Sequence, residues 1–201
     1  MEKTNGGEIL YQGHGSLRIT TSCGTVVYVD PYLGEGYDRP ADLILVTHQH
    51  HDHTAVDRPA RKEDCVLWQN MDALQNGVYR KRQFKDVSVE ALEAYNRNHP
   101  KEECVGYLLA FDGKTVYVAG DTSKTEQMQE LKDRKIDYVF LPIDGVYNMG
   151  PKEAGECARL IGAAHVVPYH MAPGKLFDRQ RAQELEAAGR MIVEPGETIR
   201  L

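Results

Sequence analysis

Leu43-Ile44-Leu45-Val46 is an unbroken apolar run that stops at Thr47, and positions 48–53 then hold His48, His50, His51, Asp52 and His53. So short a run, with no polar residue at alternate positions, predicts a strand covered on both faces, as in a sheet enclosed between other layers. The histidine cluster begins at the C-terminal end of that strand. Burying several imidazoles without a partner is costly, so the cluster asks for a cation. Residues two apart in an extended segment share a face, which lets His48 and His50 approach one ion together. Asp52 and His53, past the bend, can face a neighbouring position. A histidine-rich surface loop is the bland alternative, and it gives no reason for an aspartate at this spacing after a buried strand.

The remaining chain supplies the layers. Glu8–Tyr11, Leu17–Thr20 and Thr25–Val29 read as short strands of a meander separated by glycines suited to tight turns. Further strands are expected at Cys65–Trp68, Val87–Ala91, Val105–Leu109 and Thr115–Val118, with Asp112-Gly113 as a hairpin turn before the last. Strands at Tyr138–Leu141 and His165–Tyr169 then alternate with helices expected over Thr122–Arg134, Lys152–Ile161 behind Pro151, and Phe177–Ala188 ending at Gly189. A meander followed by β/α alternation implies a layered α/β protein with its sheets inside. No repeat or linker divides residues 1–201, a length that can bury its own core, so one domain is expected.

Charge and composition narrow the partners. A formal charge of -6 argues against nucleic acid, whose binders need a basic face. The one basic cluster, Arg80-Lys81-Arg82-Gln83-Phe84-Lys85, reads as a solvated turn. The opening Met1-Glu2-Lys3-Thr4-Asn5-Gly6-Gly7 lacks the apolar core of a signal peptide, and no stretch reaches the ~20 apolar residues of a membrane span, so a cytoplasmic location is expected. Cys23, Cys65, Cys104 and Cys157 form no CxxC pair, which points away from a thiolate zinc knuckle or a redox dithiol.

A closed site needs ligands from elsewhere, and His99, Asp121 and His170 each stand where a strand meets a loop. Asp121 follows an apolar strand through Gly120, and its two oxygens can bridge two cations; the competing reading is an N-cap for the next helix. His165, at the far end of the strand that His170 closes, reads as structural. His14, before the Gly15-Ser16 turn, is either a substrate contact at the mouth of the site or a turn residue. Tyr147 and Asn148, after Asp144-Gly145, are candidate donors to a developing oxyanion.

His48-x-His50-x-Asp52-His53 matches the motif HxHxDH, and the chain resembles the metallo-β-lactamase superfamily. Within it, the chain is similar to the small cytoplasmic metal-dependent hydrolases of the ascorbate-6-phosphate lactonase group. Residues Gly13–Ser16, Asp30-Pro31, Thr47–His53, Ala94–Asn96, His99–Lys101, Tyr117-x-Ala119–Thr122, Leu141–Met149 and Pro168–His170 carry that resemblance. It implies a four-layer αββα sandwich of two mixed β-sheets flanked by helices. It also implies one cation held by His48, His50 and His99, a second held by Asp52, His53 and His170, and Asp121 between them. Imidazole and carboxylate ligands without thiolate suit zinc, and manganese or iron fit the same set. Two such ions roughly 3.5–4 Å apart share a water and lower its pKa toward ~7, giving the expected hydroxide nucleophile. Asp52 would orient it and relay its proton. The expected reaction is hydrolysis of a small-molecule ester, a lactone first, by family likeness alone. A phosphodiesterase on a small phosphorylated substrate is the runner-up. An iron-binding redox protein and a non-catalytic metal-stabilised binding module are the other classes, and a homo-oligomer is compatible with all of them.

Overall fold

The structure, a computed structural model, describes residues 6–201; residues 1–5 of the polar opening segment lie outside the described residues. In chain order the elements are β1 (Glu8–Gly13), β2 (Ser16–Thr20), β3 (Val26–Val29), β4 (Ala41–Val46), β5 (Arg61–Gln69), α1 (Asn70–Ala73), β6 (Leu74–Gln75), β7 (Val78–Tyr79), β8 (Lys81–Phe84) and β9 (Val87–Glu93). There follow β10 (Val105–Phe111), β11 (Lys114–Val118), a 3-10 helix (Glu126–Arg134), β12 (Tyr138–Pro142), α2 (Pro151–Ile161), β13 (His165–Tyr169), α3 (Arg179–Gln183) and β14 (Thr198–Arg200).

Two six-stranded sheets form the centre, in the orders β14-β1-β2-β3-β4-β5 and β13-β12-β11-β10-β9-β8. Both are mixed in the same way, an antiparallel run turning into parallel pairs at β3·β4·β5 and at β11·β12·β13. The two-residue period of a strand sorts the side chains. Ile9, Tyr11, Leu43 and Leu45 of the first sheet meet Tyr107, Leu109, Val116 and Phe140 of the second in one core between the sheets. The intervening Tyr117, Val139 and Leu141 face outward and pack under α2 and the 3-10 helix. Each fully buried Val, Leu or Ile there contributes about 1.5–3 kcal/mol. α2 begins with Pro151 after Gly150 and ends at Gly162 in the left-handed conformation, and it turns Ala154, Cys157, Ala158 and Ile161 inward at helical spacing.

The two-sheet sandwich agrees with the expected fold class, with helices concentrated on one side. The outer face of the first sheet, Val26, Tyr28 and Ile44, is covered by Tyr37 and Val56 from the segment between β3 and β5. The Asp112-Gly113 turn forms as expected, with φ of 49° and 70°.

Three expectations are corrected. The segment Thr122–Arg134 is a 3-10 helix from Glu126, because its only buried apolar side chains, Met128 and Leu131, are three apart and eclipse at three residues per turn. Its start is delayed because Thr122 Oγ1 accepts from Tyr95 N and Ser123 N donates to Tyr95 O. The helix expected over Phe177–Ala188 contracts to α3: Asp178 caps Arg181 N at its start, while Arg190 Nη1 takes the carbonyls of Gln183 and Leu185. The basic run Arg80–Lys85 is not a turn but contains the edge strand β8, whose cations blunt an exposed sheet edge.

Candidate metal centre

Strands end at one rim. Beyond β1 stands His14, beyond β3 Asp30, beyond β4 Thr47 and His48, beyond β11 Asp121, beyond β12 Asp144, and beyond β13 His170. His14, Asp30 and His170 leave their strands in left-handed backbone, φ 54°, 46° and 45°. For residues other than glycine that costs of order 1–3 kcal/mol each and persists only where the surroundings impose it. Two glycines are obligatory here. A Cβ on Gly15 would stand 2.9 Å from His53 Cε1, and one on Gly120 (φ 69°) would stand 2.8 Å from the Val105 carbonyl.

The side chains converge in three overlapping groups whose ligand atoms lie within 4.8 Å of one another: His48, His50, His99; His14, Asp52, His53, His170; and His48, His53, Asp121. In the first, His48 Nε2 is 3.0 Å from His50 Nδ1. In the second, Asp52 Oδ2 lies 2.9 Å from His14 Nε2, 3.8 Å from His170 Nε2 and 3.9 Å from His53 Nε2. Asp121 joins them: Oδ2 is 3.3 Å from His99 Nε2 and 3.4 Å from His170 Nε2, and Oδ1 is 3.4 Å from His53 Nε2.

Outer partners aim the rings. His53 Nδ1 donates to Asp30 Oδ2 at 2.9 Å and His99 Nδ1 to Asn96 Oδ1 at 2.9 Å. The Thr47 hydroxyl donates to Asp30, so toward His48 Nδ1, 3.1 Å away, it accepts. His170 Nδ1 sits 3.1 Å from Asp144 Oδ2, off good hydrogen-bond alignment. In His48, His53 and His99 Nδ1 is held from outside while Nε2 turns to the centre, the arrangement that fixes a metal-binding tautomer; in His170 only the nearby Asp144 carboxylate stands behind Nδ1.

At the centre His53 Nε2, His170 Nε2 and Asp121 Oδ1 are buried with no hydrogen-bond partner. Orphaned buried polar atoms are costly, and a cation among them would satisfy all three. The charge states agree. Burial, aided by the positive charge on His53, drives His48 down to about 2, leaving a neutral imidazole with a free lone pair. Burial opposes ionisation of Asp121, but His170 and His53 outweigh it and keep the carboxyl well below its usual range. Burial disfavours charge on His170 too, yet Asp121, Asp144 and Asp52 raise it to about 10. Protons on His53 and His170 thus answer a demand for positive charge that a bound cation answers equally, and the donor set fits zinc, manganese or iron.

A family model described as Beta-lactamase superfamily domain matches residues 8–170. A UPF0173 metal-dependent hydrolase of Geobacillus thermodenitrificans is 31% identical over 96% of this chain and 100% of its own length. The chain belongs to the metallo-β-lactamase superfamily, in its UPF0173 metal-dependent hydrolase family. Among solved structures, a Parabacteroides distasonis protein described as a metal-dependent hydrolase superposes with a TM-score of 0.76 at 30% identity, covering 92% of each chain. Igni18, a metallo hydrolase of Ignicoccus hospitalis, shares the fold with a TM-score of 0.78 at 22% identity over 97% of this chain and 98% of its own.

In this UPF0173 hydrolase the structure brings His14, His48, His50, Asp52, His53, His99, Asp121 and His170 together. His51 is exposed outside the groups, and His165 stacks on Tyr138. Tyr147 stands exposed on the loop after Asp144. Asn148 is buried, its amide engaged by Asp144 Oδ2 and Asn96 Nδ2. Sequence reasoning gave no roles to Asp30, Asn96 and Asp144. The one signal they carry is position, a carboxylate or amide just beyond a strand end. A cavity of about 360 Å³ opens beside His48, His50 and His99, between Met71 and Pro100. No helix among the described residues is long and apolar enough to cross a membrane.

Proposed function

We propose that this hydrolase cleaves a small-molecule ester, most naturally a lactone, and that His48, His50 and His99, together with Asp52, His53 and His170, would hold zinc, with Asp121 between the two groups. The observation that carries the reading is the convergence of buried, partnerless His53 Nε2, His170 Nε2 and Asp121 Oδ1. Zinc bound there supplies a Lewis acid and a water acidic enough to ionise near neutral pH. The chain's own groups do the rest. Burial pushes the Asp52 carboxyl up, but His14 and His170 beside it outweigh burial and hold it ionised, so Oδ2 orients the attacking water and takes its proton. His14 keeps that carboxylate in place, its ring 3.9 Å from that of His170 between centroids and tilted 44° to it. Tyr147, exposed at the rim, donates from its phenol to the developing oxyanion.

The cavity beside His48 and His50 has the size of a small-molecule site, which supports such a substrate. Kinship with the ascorbate-6-phosphate lactonase group, a single domain over 1–201 and a cytoplasmic location belong to the same proposal. A small phosphodiester is the second reading, favoured by two ligand groups astride one carboxylate, a clamp suited to phosphoryl oxygens. The test is a screen of zinc- and manganese-loaded protein against lactones, phosphodiesters and thioesters, with bound metal measured by elemental analysis. Lactone hydrolysis that disappears with the metal in Asp121→Ala is expected. A wild type that binds no cation and cleaves nothing overturns the reading.

A further inference from the structure

The cavity of about 360 Å³ beside the metal centre has His48, His50 and His99 in its own wall, so a substrate whose carbonyl faces those rings must place part of its body against the remaining lining. That lining has two characters. Met71 and Pro100 give it an apolar lip, and Met71 is 53% exposed in a chain whose large apolar side chains are mostly buried. Glu103 stands beside them, exposed, and among the described residues its carboxylate has no ion pair or hydrogen bond.

No lysine or arginine lines the cavity. Lys101, the cation nearest to Glu103 in sequence, is bound to Glu93 at 2.5 Å and lies 5.0 Å from the centroid of the Tyr95 ring, so it does not neutralise Glu103. The wall that carries Glu103 is fixed through its backbone. Gln49 Nε2 donates to Asn70 Oδ1 at 2.7 Å, Asn70 Nδ2 to the Glu103 carbonyl at 2.8 Å, and Glu103 N to the Pro100 carbonyl at 3.0 Å. These bonds tie the loop after β4, which carries His48 and His50, to α1 and to the loop before β10. They also use up the Asn70 amide, which leaves the Glu103 carboxylate as the charged group free to meet a ligand. An anion placed there would face a like charge with no cation to offset it. A cation would pair with Glu103 while its apolar stem covered Met71 and Pro100, and a wall held in advance loses little freedom on binding.

We propose that this cavity selects an ester whose remote end is an apolar stem finished by a cation, with Glu103 as the specificity-determining residue and Met71 as the apolar contact. The inference rests on the hydrolase reading above and names its substrate class, a cationic ester in preference to an anionic one. The test uses three lactones with the same ring and the same alkyl side chain, ending in trimethylammonium, in its neutral isostere tert-butyl, or in carboxylate. For the wild type kcat/KM should fall in that order. Glu103→Gln should lower the preference for trimethylammonium over tert-butyl roughly two- to fivefold, mainly through KM, as expected for an exposed ion pair. Glu103→Lys should place the carboxylate member above the trimethylammonium one, and Met71→Ser should lower kcat/KM for all three. Equal turnover of the three by the wild type, or an unchanged ranking in Glu103→Lys, overturns the proposal and leaves the hydrolase reading standing. If none is cleaved, the hydrolase reading fails, and the cavity is decided by NMR on the zinc-loaded full chain carrying methyl-labelled methionine, the Met71 signal being assigned by its loss in Met71→Ser. A saturable shift of that signal with butyltrimethylammonium, larger than with butyrate and weakened in Glu103→Gln, supports the proposal. No shift, or an equal one with butyrate, overturns it.

Discussion

His53 carries the centre's dependence on residues that touch no substrate. Its Nδ1 is fixed by Asp30, a fully buried carboxylate that also accepts from Thr47 N at 2.7 Å and the Thr47 hydroxyl at 2.6 Å. Asp30→Asn leaves the volume nearly unchanged but removes the charge and one acceptor, so the imidazole loses its fixed tautomer. Loss of such an outer partner lowers metal affinity by about 10–100-fold. Zinc competition with a chromophoric chelator should show a drop in that range, and unchanged affinity would mean that Asp30 is only a fold residue. The same rings set the response to pH. The folded pKa of His170 is raised, to about 10, and that of His53 is raised too, so in the cation-free chain their stabilisation is complete below about 6.5 and is lost as pH rises toward 10. Binding of zinc has the opposite sign, since it displaces those protons and tightens with pH. Urea melts in chelator at pH 7 and pH 9.5 should show lower stability at the higher pH, with the gain from added zinc larger there. The residues that converge were legible in sequence because imidazoles and carboxylates at strand ends have few other uses. Asp30, Asn96 and Asp144 were not, since an outer carboxylate or amide reads like any turn residue until the Nδ1 it holds is located.

At the scale of elements, what the sequence conveyed was periodicity, and it failed where three- and four-residue spacings compete. α2 offers Ala154, Cys157, Ala158 and Ile161 and forms as expected, whereas the segment with only Met128 and Leu131 takes the tighter 3-10 winding. Edge strand β8 was illegible for a related reason: its exposed Lys81, Arg82 and Gln83 resemble a solvated turn, and only pairing with β9 reveals the strand. Packing can also reverse a propensity. Gly155 lies inside α2, where alanine is intrinsically favoured by about 1 kcal/mol. A Cβ there would stand 2.6 Å from the Glu186 carbonyl oxygen, backbone that cannot rotate away. Overpacking typically costs about 1–3 kcal/mol, so the clash exceeds the helical gain and Gly155→Ala should destabilise. A urea melt showing stabilisation would mean that the segment after α3 yields easily.

For the whole molecule, the candidate metal centre is one of the places where the two sheets are joined. His170 N donates to the His14 carbonyl at 2.9 Å, and Val105 N to the Thr47 carbonyl at 3.0 Å, each bond linking a strand end of one sheet to the other half. Both proposed ligand groups are likewise divided: His48, His50, Asp52 and His53 follow β4 of the first sheet, while His99, Asp121 and His170 belong to segments flanking strands of the second. A cation held by both halves binds the folded chain and not the unfolded one, which adds about 2.7 kcal/mol at a free concentration 100 times the Kd. For a chain of this length that corresponds to a rise in Tm of roughly 5–11 °C. The core between the sheets contains no proposed ligand and is sealed by side chains such as Tyr11, Tyr107 and Phe140, so chelation should lower Tm without abolishing the far-UV signal. Complete unfolding in chelator at 25 °C is what a module stabilised chiefly by its metal would show. A chelated chain that keeps its sheets, loses its turnover and regains both Tm and turnover on readdition of zinc separates a catalytic cation from a structural one.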